Sequence, residues 1–138
     1  MTRLLGRGGS SAAGGGVARG YVDILRDRHA PHGVEVVNRS RPKETSFEGV
    51  ETLLRDIETV RPDVLVVHFG MDDAYSAVYR SEFKENLVRI VRIARERSPA
   101  KIYLPTSHTL DDPHEMEALH IYYRTIREVA VDLACEMV

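Results

Sequence analysis

Two adjacent serines, Ser10 and Ser11, lie in the glycine-rich stretch LLGRGGSSAAGGG at residues 4–16. The stretch follows a short apolar run and precedes a helical pattern, so both serines stand between a strand and the start of a helix. A serine in that place could act as a nucleophile, because the helix dipole and nearby backbone N–H groups stabilise the oxyanion of acyl transfer. Two other interpretations stay open: a cradle for a phosphate, or a flexible linker.

The spacing of the glycines argues against a nucleotide site. No lysine follows any of them as the P-loop requires, and a GxGxxG fingerprint that began at Gly6 would meet Ser11 in place of its third glycine. The acid expected after the second strand is also absent, because Asn38 stands there. Nucleotide binding is therefore the weaker of the two functional interpretations.

A serine nucleophile needs a base, and the loop TSHTLDDPH at residues 106–114 offers His108 and His114. The segment DDPH has the spacing Asp-x-x-His. The competing interpretation is that Asp112 caps a helix that begins at Pro113, which leaves His114 facing solvent. His68 is isolated in an apolar run and is interpreted as a core residue or a ligand. No set of histidines and carboxylates shows a metal-ligand spacing, so no metal is expected.

The elements that position these residues alternate between strands and helices, which is typical of an α/β fold. The apolar runs predict four strands, at Arg3 to Arg7, Val34 to Asn38, Val64 to Phe69 and Lys101 to Pro105. Apolar residues at helical spacing predict helices at residues 17–28, 47–60, 82–97 and from about 113 to 133. Right-handed crossovers then predict a three-layer, doubly wound parallel sheet ordered 2-1-3-4, with ligands at the carboxyl ends of the strands.

Three segments of the chain together resemble the SGNH (GDSL-type) esterase and lipase superfamily, which has a flavodoxin-like fold. The family's Gly-Asp-Ser block resembles GGSSAAG at residues 8–14, and its Asn-x-Gly block resembles VVNRSRPKETS at residues 36–46. Its Gly-x-Asn-Asp block resembles PDVLVVHFGMDDA at residues 62–74, which is the most specific match. The likeness covers nearly the whole chain.

The resemblance assigns roles to individual residues. Ser10 falls on the nucleophile, with Ser11 as its alternative, Ser40 on the glycine whose N–H serves the oxyanion hole, and Asp72 on the oxyanion-hole asparagine. A register shifted by two residues would put Gly8 on the nucleophile. Gly9 stands where the family has aspartate. An ionised Asp72 accepts hydrogen bonds and would repel a developing oxyanion, whereas asparagine would donate to it.

The family's catalytic Asp-x-x-His follows a fifth strand, and the sequence ends within the helix expected before that strand. The resemblance therefore implies one SGNH-hydrolase-like domain at residues 1–138, truncated at its C-terminus and lacking the last strand. The base would be a histidine beyond Val138, or His108 or His114. The edge of the fourth strand would then be exposed, which favours a homodimer or a covering by the last helix.

The implied activity is ester hydrolysis through an acyl-enzyme, as in carboxylesterases, acetylesterases and lipases, without a cofactor. The alternative is a non-catalytic module on the same fold that binds a small-molecule ligand. A length of 138 residues with 43% hydrophobic residues fits one domain, and a net charge of -2 without basic stripes argues against nucleic acid as a partner. One cysteine and the lack of a long apolar run predict a cytoplasmic protein with no membrane segment, although a trimmed secreted form stays open.

Overall fold

The computed structural model describes residues 1–14, 20–107 and 110–137, and these form a parallel sheet of five strands with helices on both faces. The strand order is β2-β1-β3-β4-β5 and every neighbouring pair is parallel, which confirms the predicted order of the first four strands. The strands are β1 Thr2–Gly8, β2 Val34–Asn38, β3 Val64–His68, β4 Lys101–Leu104 and β5 Glu136–Met137.

The fifth strand corrects the expectation that the sheet lacks its last strand. The last helix ends at Asp132, and Ala134 adopts a positive φ of 52° that turns the chain back toward the sheet. Glu136 and Met137 then pair with Tyr103 and Leu104 of β4. Two paired residues are too few to give a periodic pattern in the sequence. A homodimer through the sheet edge stays a prediction, with β5 as the edge strand.

The helices agree with the predicted amphipathic segments, with two differences: one near the N-terminus, and a short helix at Met71–Tyr75, where no helix was predicted. A short helix starts at Ser10 itself, and the next begins, within the described part of the chain, at Tyr21; residues 15–19, where the first helix was predicted to begin, lie outside it. The helices are α1 Ser10–Ala13, α2 Tyr21–His29, α3 Ser46–Val60, α4 Met71–Tyr75, α5 Arg80–Arg97 and α6 Pro113–Asp132, with a 3₁₀ turn at Ala30–His32.

The two faces of the sheet are covered by different sets of helices. The large core lies between the sheet and the apolar faces of α3, α5 and α6, where Leu5, Leu65 and Val67 are buried from the sheet side. A smaller cluster around Val22 and Val36 packs α2 against the other face. Because side chains alternate along a strand, β1 contributes Leu5 to the large core and Leu4 to the smaller cluster. In β3, Leu65 and Val67 are buried in the large core, whereas Val64 and Val66 on the other face are half-buried.

The pairing of the two central strands determines which loops meet at the carboxyl edge of the sheet. Gly8 at the end of β1 lies beside His68 at the end of β3, so the loops that follow both strands leave the sheet together. The loop after β2 joins them, because Arg39 and Arg41 donate backbone hydrogen bonds to the carbonyls of Gly6 and Gly8. Among the described residues, no helix is both long and apolar enough to cross a membrane.

Candidate active site

Ser10 is the first residue of α1 and follows β1 after the single residue Gly9. Its side chain is half-buried at the carboxyl edge of the sheet. The backbone N–H of Lys43, in the loop after β2, donates to Ser10 Oγ at 2.8 Å. Lys43 has a φ of 64°, a left-handed conformation that non-glycine residues adopt rarely. The loops after β1 and β2 therefore meet at the serine hydroxyl.

Asp72, in α4 after β3, completes the contacts of Ser10. The backbone N–H of Ser10 donates to Asp72 Oδ2 at 2.6 Å, and Ser10 Oγ donates to Asp72 Oδ1 at 2.9 Å. An ionised carboxylate has acceptors only, so it takes up the N–H that an oxyanion bound beside Ser10 would need. The structure thus brings Ser10 and Asp72 together as the motifs predict. Asp72 accepts hydrogen bonds at this position, where the amide N–H₂ of an asparagine would donate one.

Gly9 makes room for the Asp72 carboxylate. A Cβ atom at position 9 would lie 2.0 Å from Asp72 Oδ2 and 2.4 Å from the carbonyl oxygen of Glu44. Both distances are far below van der Waals contact, so a larger residue cannot occupy position 9 in this arrangement. The glycine at position 9 and the acid at position 72 are therefore sterically coupled.

Ser40 lies in the same loop, and it contacts neither Ser10 nor Asp72 in the described hydrogen-bond network. Its backbone N–H donates to Asn38 Oδ1 at 3.0 Å, and its hydroxyl is buried without a hydrogen-bond partner among the described residues. The N–H that reaches Ser10 belongs to Lys43, three residues further along the chain. Sequence reasoning missed Lys43 because a lysine gives no sign of a left-handed turn.

Asp73 is fully buried beside the site and joins three elements. It accepts hydrogen bonds from the backbone N–H and the hydroxyl of Ser46, at the start of α3, at distances of 2.7–3.1 Å. The side chain of Asn86 in α5 also donates to Ser46 Oγ, at 3.1 Å. Burial raises the pKa of Asp73. These bonds fix α4, and with it Asp72, against α3 and α5.

Arg7, in β1, binds the loop that carries Lys43. The guanidinium is 1% exposed, pairs with Asp56 of α3 at 3.3 Å and Glu44 at 3.5 Å, and donates to the carbonyl of Arg39. Burial lowers the pKa of Arg7, and the two carboxylates oppose that effect. In the sequence, the only sign of this role is that Arg7 is a charged residue within a largely apolar strand. Its partner Asp56 could not be predicted without the position of α3.

The two histidines predicted as bases have different outcomes. His108 lies outside the described residues. His114 is exposed in the first turn of α6, and its backbone N–H donates to Asp112 Oδ1 at 2.8 Å, which confirms the predicted cap. No contact between the His114 side chain and Ser10 occurs among the described residues. Within the same residues, no group of three or more His, Cys, Asp or Glu could hold a metal ion.

Comparison with solved structures finds the same architecture in other proteins, two of which are described as esterases. TesA superposes with a TM-score of 0.86 at 25% identity, covering 99% of this chain and 77% of TesA. The esterase EstA from Pseudoalteromonas sp. gives 0.85 at 17% identity, covering 100% of this chain and 76% of EstA. A catalytic mutant of Axe2, an acetylxylan esterase from Geobacillus stearothermophilus, gives 0.83 at 18% identity, with 99% and 75% covered.

Comparison with protein families assigns nearly the whole chain. No curated protein sequence matches it. Residues 7–138 match the GDSL-like lipase/acylhydrolase family, and the match includes Ser10, Lys43 and Asp72. Since the family match, the fold and the meeting of the three motif loops agree, the chain belongs to the GDSL-like lipase/acylhydrolase family.

Proposed function

We propose that this protein is a serine ester hydrolase in which Ser10 is the nucleophile. Family membership supports ester hydrolysis as the general class of reaction. The observation that carries the finer assignment is the convergence of the loops after β1, β2 and β3 on the Ser10 hydroxyl. Axe2, in which catalytic mutants replace a serine, an aspartate or a histidine, supports serine chemistry and acetyl esters as substrates.

In the proposed reaction, Ser10 Oγ attacks the ester carbonyl and a histidine accepts its proton. The alcohol leaves with that proton, and water then hydrolyses the acyl-serine to a carboxylic acid. The backbone N–H groups of Ser10 and Lys43 are the donors nearest the attacking oxygen. The candidate bases within the chain stay those expected from the sequence, His108 and His114, the latter in the first turn of α6.

The Asp72 carboxylate has to leave the Ser10 N–H before that group can bind an oxyanion. Removing one oxyanion donor lowers kcat by about 10² to 10³ in serine hydrolases, so the contact at 2.6 Å predicts slow turnover. The same contact favours a second candidate function, a non-catalytic module that binds a small ligand at this edge. The two candidates differ in whether an acyl-enzyme forms at Ser10.

Hydrolysis of p-nitrophenyl acetate by the wild type and the Ser10→Ala variant tests the proposal. We expect slow turnover with an initial burst of p-nitrophenol, because an activated p-nitrophenyl ester acylates the serine faster than water hydrolyses the acyl-enzyme, and loss of both in Ser10→Ala. Ser11→Ala is the matched control, since Ser11 is the adjacent half-buried serine and its hydroxyl contacts Met71 instead of Asp72. Equal turnover in the wild type and Ser10→Ala would contradict the proposal, and ligand binding without turnover would favour the binding module.

A further inference from the structure

A second serine at the same edge is in direct contact with a histidine. Ser107 follows β4, His68 ends β3, and His68 Nε2 lies 2.7 Å from Ser107 Oγ. The other ring nitrogen, Nδ1, lies 2.8 Å from the hydroxyl of Tyr21 at the start of α2. A serine, a histidine and a group that orients the histidine are the three parts of an activated hydroxyl nucleophile.

The protonation of the cluster allows His68 to act as a base. Burial raises the pKa of Tyr21, so its phenol is neutral at physiological pH and its oxygen can accept the Nδ1–H of a neutral imidazole. Nε2 then carries the lone pair and accepts the hydroxyl proton of Ser107. His68 is 7% exposed, so its ring is held in this orientation by packing as well as by the two hydrogen bonds.

Two further hydroxyls adjoin Ser107. Ser11 Oγ lies 3.4 Å from Ser107 Oγ, and the Tyr123 hydroxyl in α6 is hydrogen-bonded to the Ser107 side chain. Burial raises the pKa of Tyr123, so that phenol keeps its proton. The Ser107 hydroxyl therefore lies among three polar partners, His68, Ser11 and Tyr123, at the carboxyl edge of the sheet.

An apolar groove leads to this cluster along the sheet face beside α2. It has a volume of about 600 Å³, and Leu4, Val64 and Val66 form its floor. Tyr21 and Pro105 also line it, and these residues adjoin the cluster: Tyr21 bonds to His68, and Pro105 precedes Ser107 by two residues. An aliphatic chain in the groove would therefore have its reactive end near Ser107 Oγ.

We propose that Ser107 and His68 form a second nucleophile–base pair, separate from Ser10, which accepts the acyl group of an ester whose aliphatic acyl chain lies in the groove. Ser107 Oγ attacks the carbonyl carbon while His68 Nε2 takes its proton. The bond from carbonyl to alkoxide breaks, and the alkoxide leaves as an alcohol with the proton from His68. Water then attacks the acyl-Ser107 with His68 again as base, which releases the carboxylic acid and restores both residues.

Covalent labelling with an octyl fluorophosphonate, mapped by peptide mass spectrometry, tests the pair. Attack of Ser107 forms an O–P bond and releases fluoride, so the reagent marks the reacting oxygen. We expect an adduct on Ser107 in the wild type and in Ser10→Ala, and a labelling rate about 10²-fold lower in His68→Gln. Ser98 is the internal control, because it is half-buried and bonds to the Pro62 carbonyl, at 3.3 Å, instead of a histidine.

A thiol variant gives a readout that does not depend on turnover. In Ser107→Cys, His68 should draw the proton from the new thiol, so iodoacetamide should alkylate it faster than Cys135, whose pKa is raised by burial. Adding His68→Gln should remove that advantage, while the rate at Cys135 and the circular dichroism spectrum report whether the variant is folded.

Absence of any adduct on Ser107, or labelling and alkylation at position 107 that are unchanged by His68→Gln, would overturn the pair. Neither result bears on Ser10: an acetyl group has no chain to lie in the groove, so p-nitrophenyl acetate turnover in Ser10→Ala reports on Ser10 and not on Ser107. The two proposals can therefore fail independently.

Discussion

The backbone N–H of Ser10 and its hydroxyl both donate to the carboxylate of Asp72, at 2.6 and 2.9 Å. In the proposed reaction, this acid occupies the place beside the serine where the oxygen of a substrate would gain negative charge. The carboxylate fits there because position 9, which is aspartate in the family pattern, is glycine in this chain. The acidic group beside the serine comes from α4 in this chain.

Asp72→Asn should increase ester turnover. An asparagine can donate through its amide N–H₂, which supplies an oxyanion donor and removes the negative charge that opposes the oxyanion. We expect kcat/KM for p-nitrophenyl acetate to rise by about 10²-fold, the usual effect of one oxyanion donor. Asp72→Ala is the matched control, because it removes the charge without adding a donor, and its gain should be smaller. Lower turnover in Asp72→Asn than in the wild type would show that the carboxylate assists the reaction.

Gly9→Ala should destabilise the protein because its Cβ would lie 2.4 Å from a backbone oxygen, that of Glu44, which cannot move aside cheaply. We expect a loss of about 1 to 3 kcal/mol in the free energy of unfolding, measured by urea denaturation. Gly6→Ala, in β1 three residues before Gly9, is the control, since its nearest neighbour would be at 3.4 Å, an ordinary contact. Equal losses of stability in the two variants would contradict the proposal that the close approach of the Glu44 oxygen excludes a side chain at position 9.

Arg7→Met should be strongly destabilising because it leaves the carboxylates of Asp56 and Glu44 without their common partner in a buried site. Breaking a buried ion pair from one side costs about 3 to 5 kcal/mol. We expect a loss of that order in the free energy of unfolding, and a smaller loss when Asp56→Asn is added, since one unpaired charge is then removed. A double variant as unstable as the single one would mean that the Asp56 charge contributes little.

Asp73 should make stability depend on pH in a defined direction. Burial raises its pKa above the ordinary value of 3.8, so the native state holds the proton more tightly than the unfolded state. Stability therefore falls as pH rises from about 4 through the raised native pKa. Urea denaturation from pH 4 to 7 should show the wild type losing free energy of unfolding relative to Asp73→Asn, which does not titrate. A wild type that gains relative to the variant would contradict this sign.

The strand pattern and the three motif blocks contained most of the information on the fold. Short apolar segments marked four of the five strands, of which β3 is a continuous apolar run, and the spacing of Asp112 and Pro113 marked the start of α6. These features are local, because a strand covered on both faces must be apolar and a helix start must satisfy its free N–H groups. The fifth strand is set by the turn at Ala134 and by pairing with β4, and the local sequence contains neither.

The candidate site was harder to predict because its groups are backbone atoms and long-range neighbours. The sequence by itself determined that a serine would stand beside an acid at the carboxyl edge of a parallel sheet, since strand order follows from handed crossovers. Only the tertiary structure decided that the backbone N–H of Lys43 donates to the Ser10 hydroxyl, that Gly9 leaves space for Asp72, and that His68 contacts Ser107. These contacts join residues more than 30 positions apart, and their distances depend on how the loops pack together.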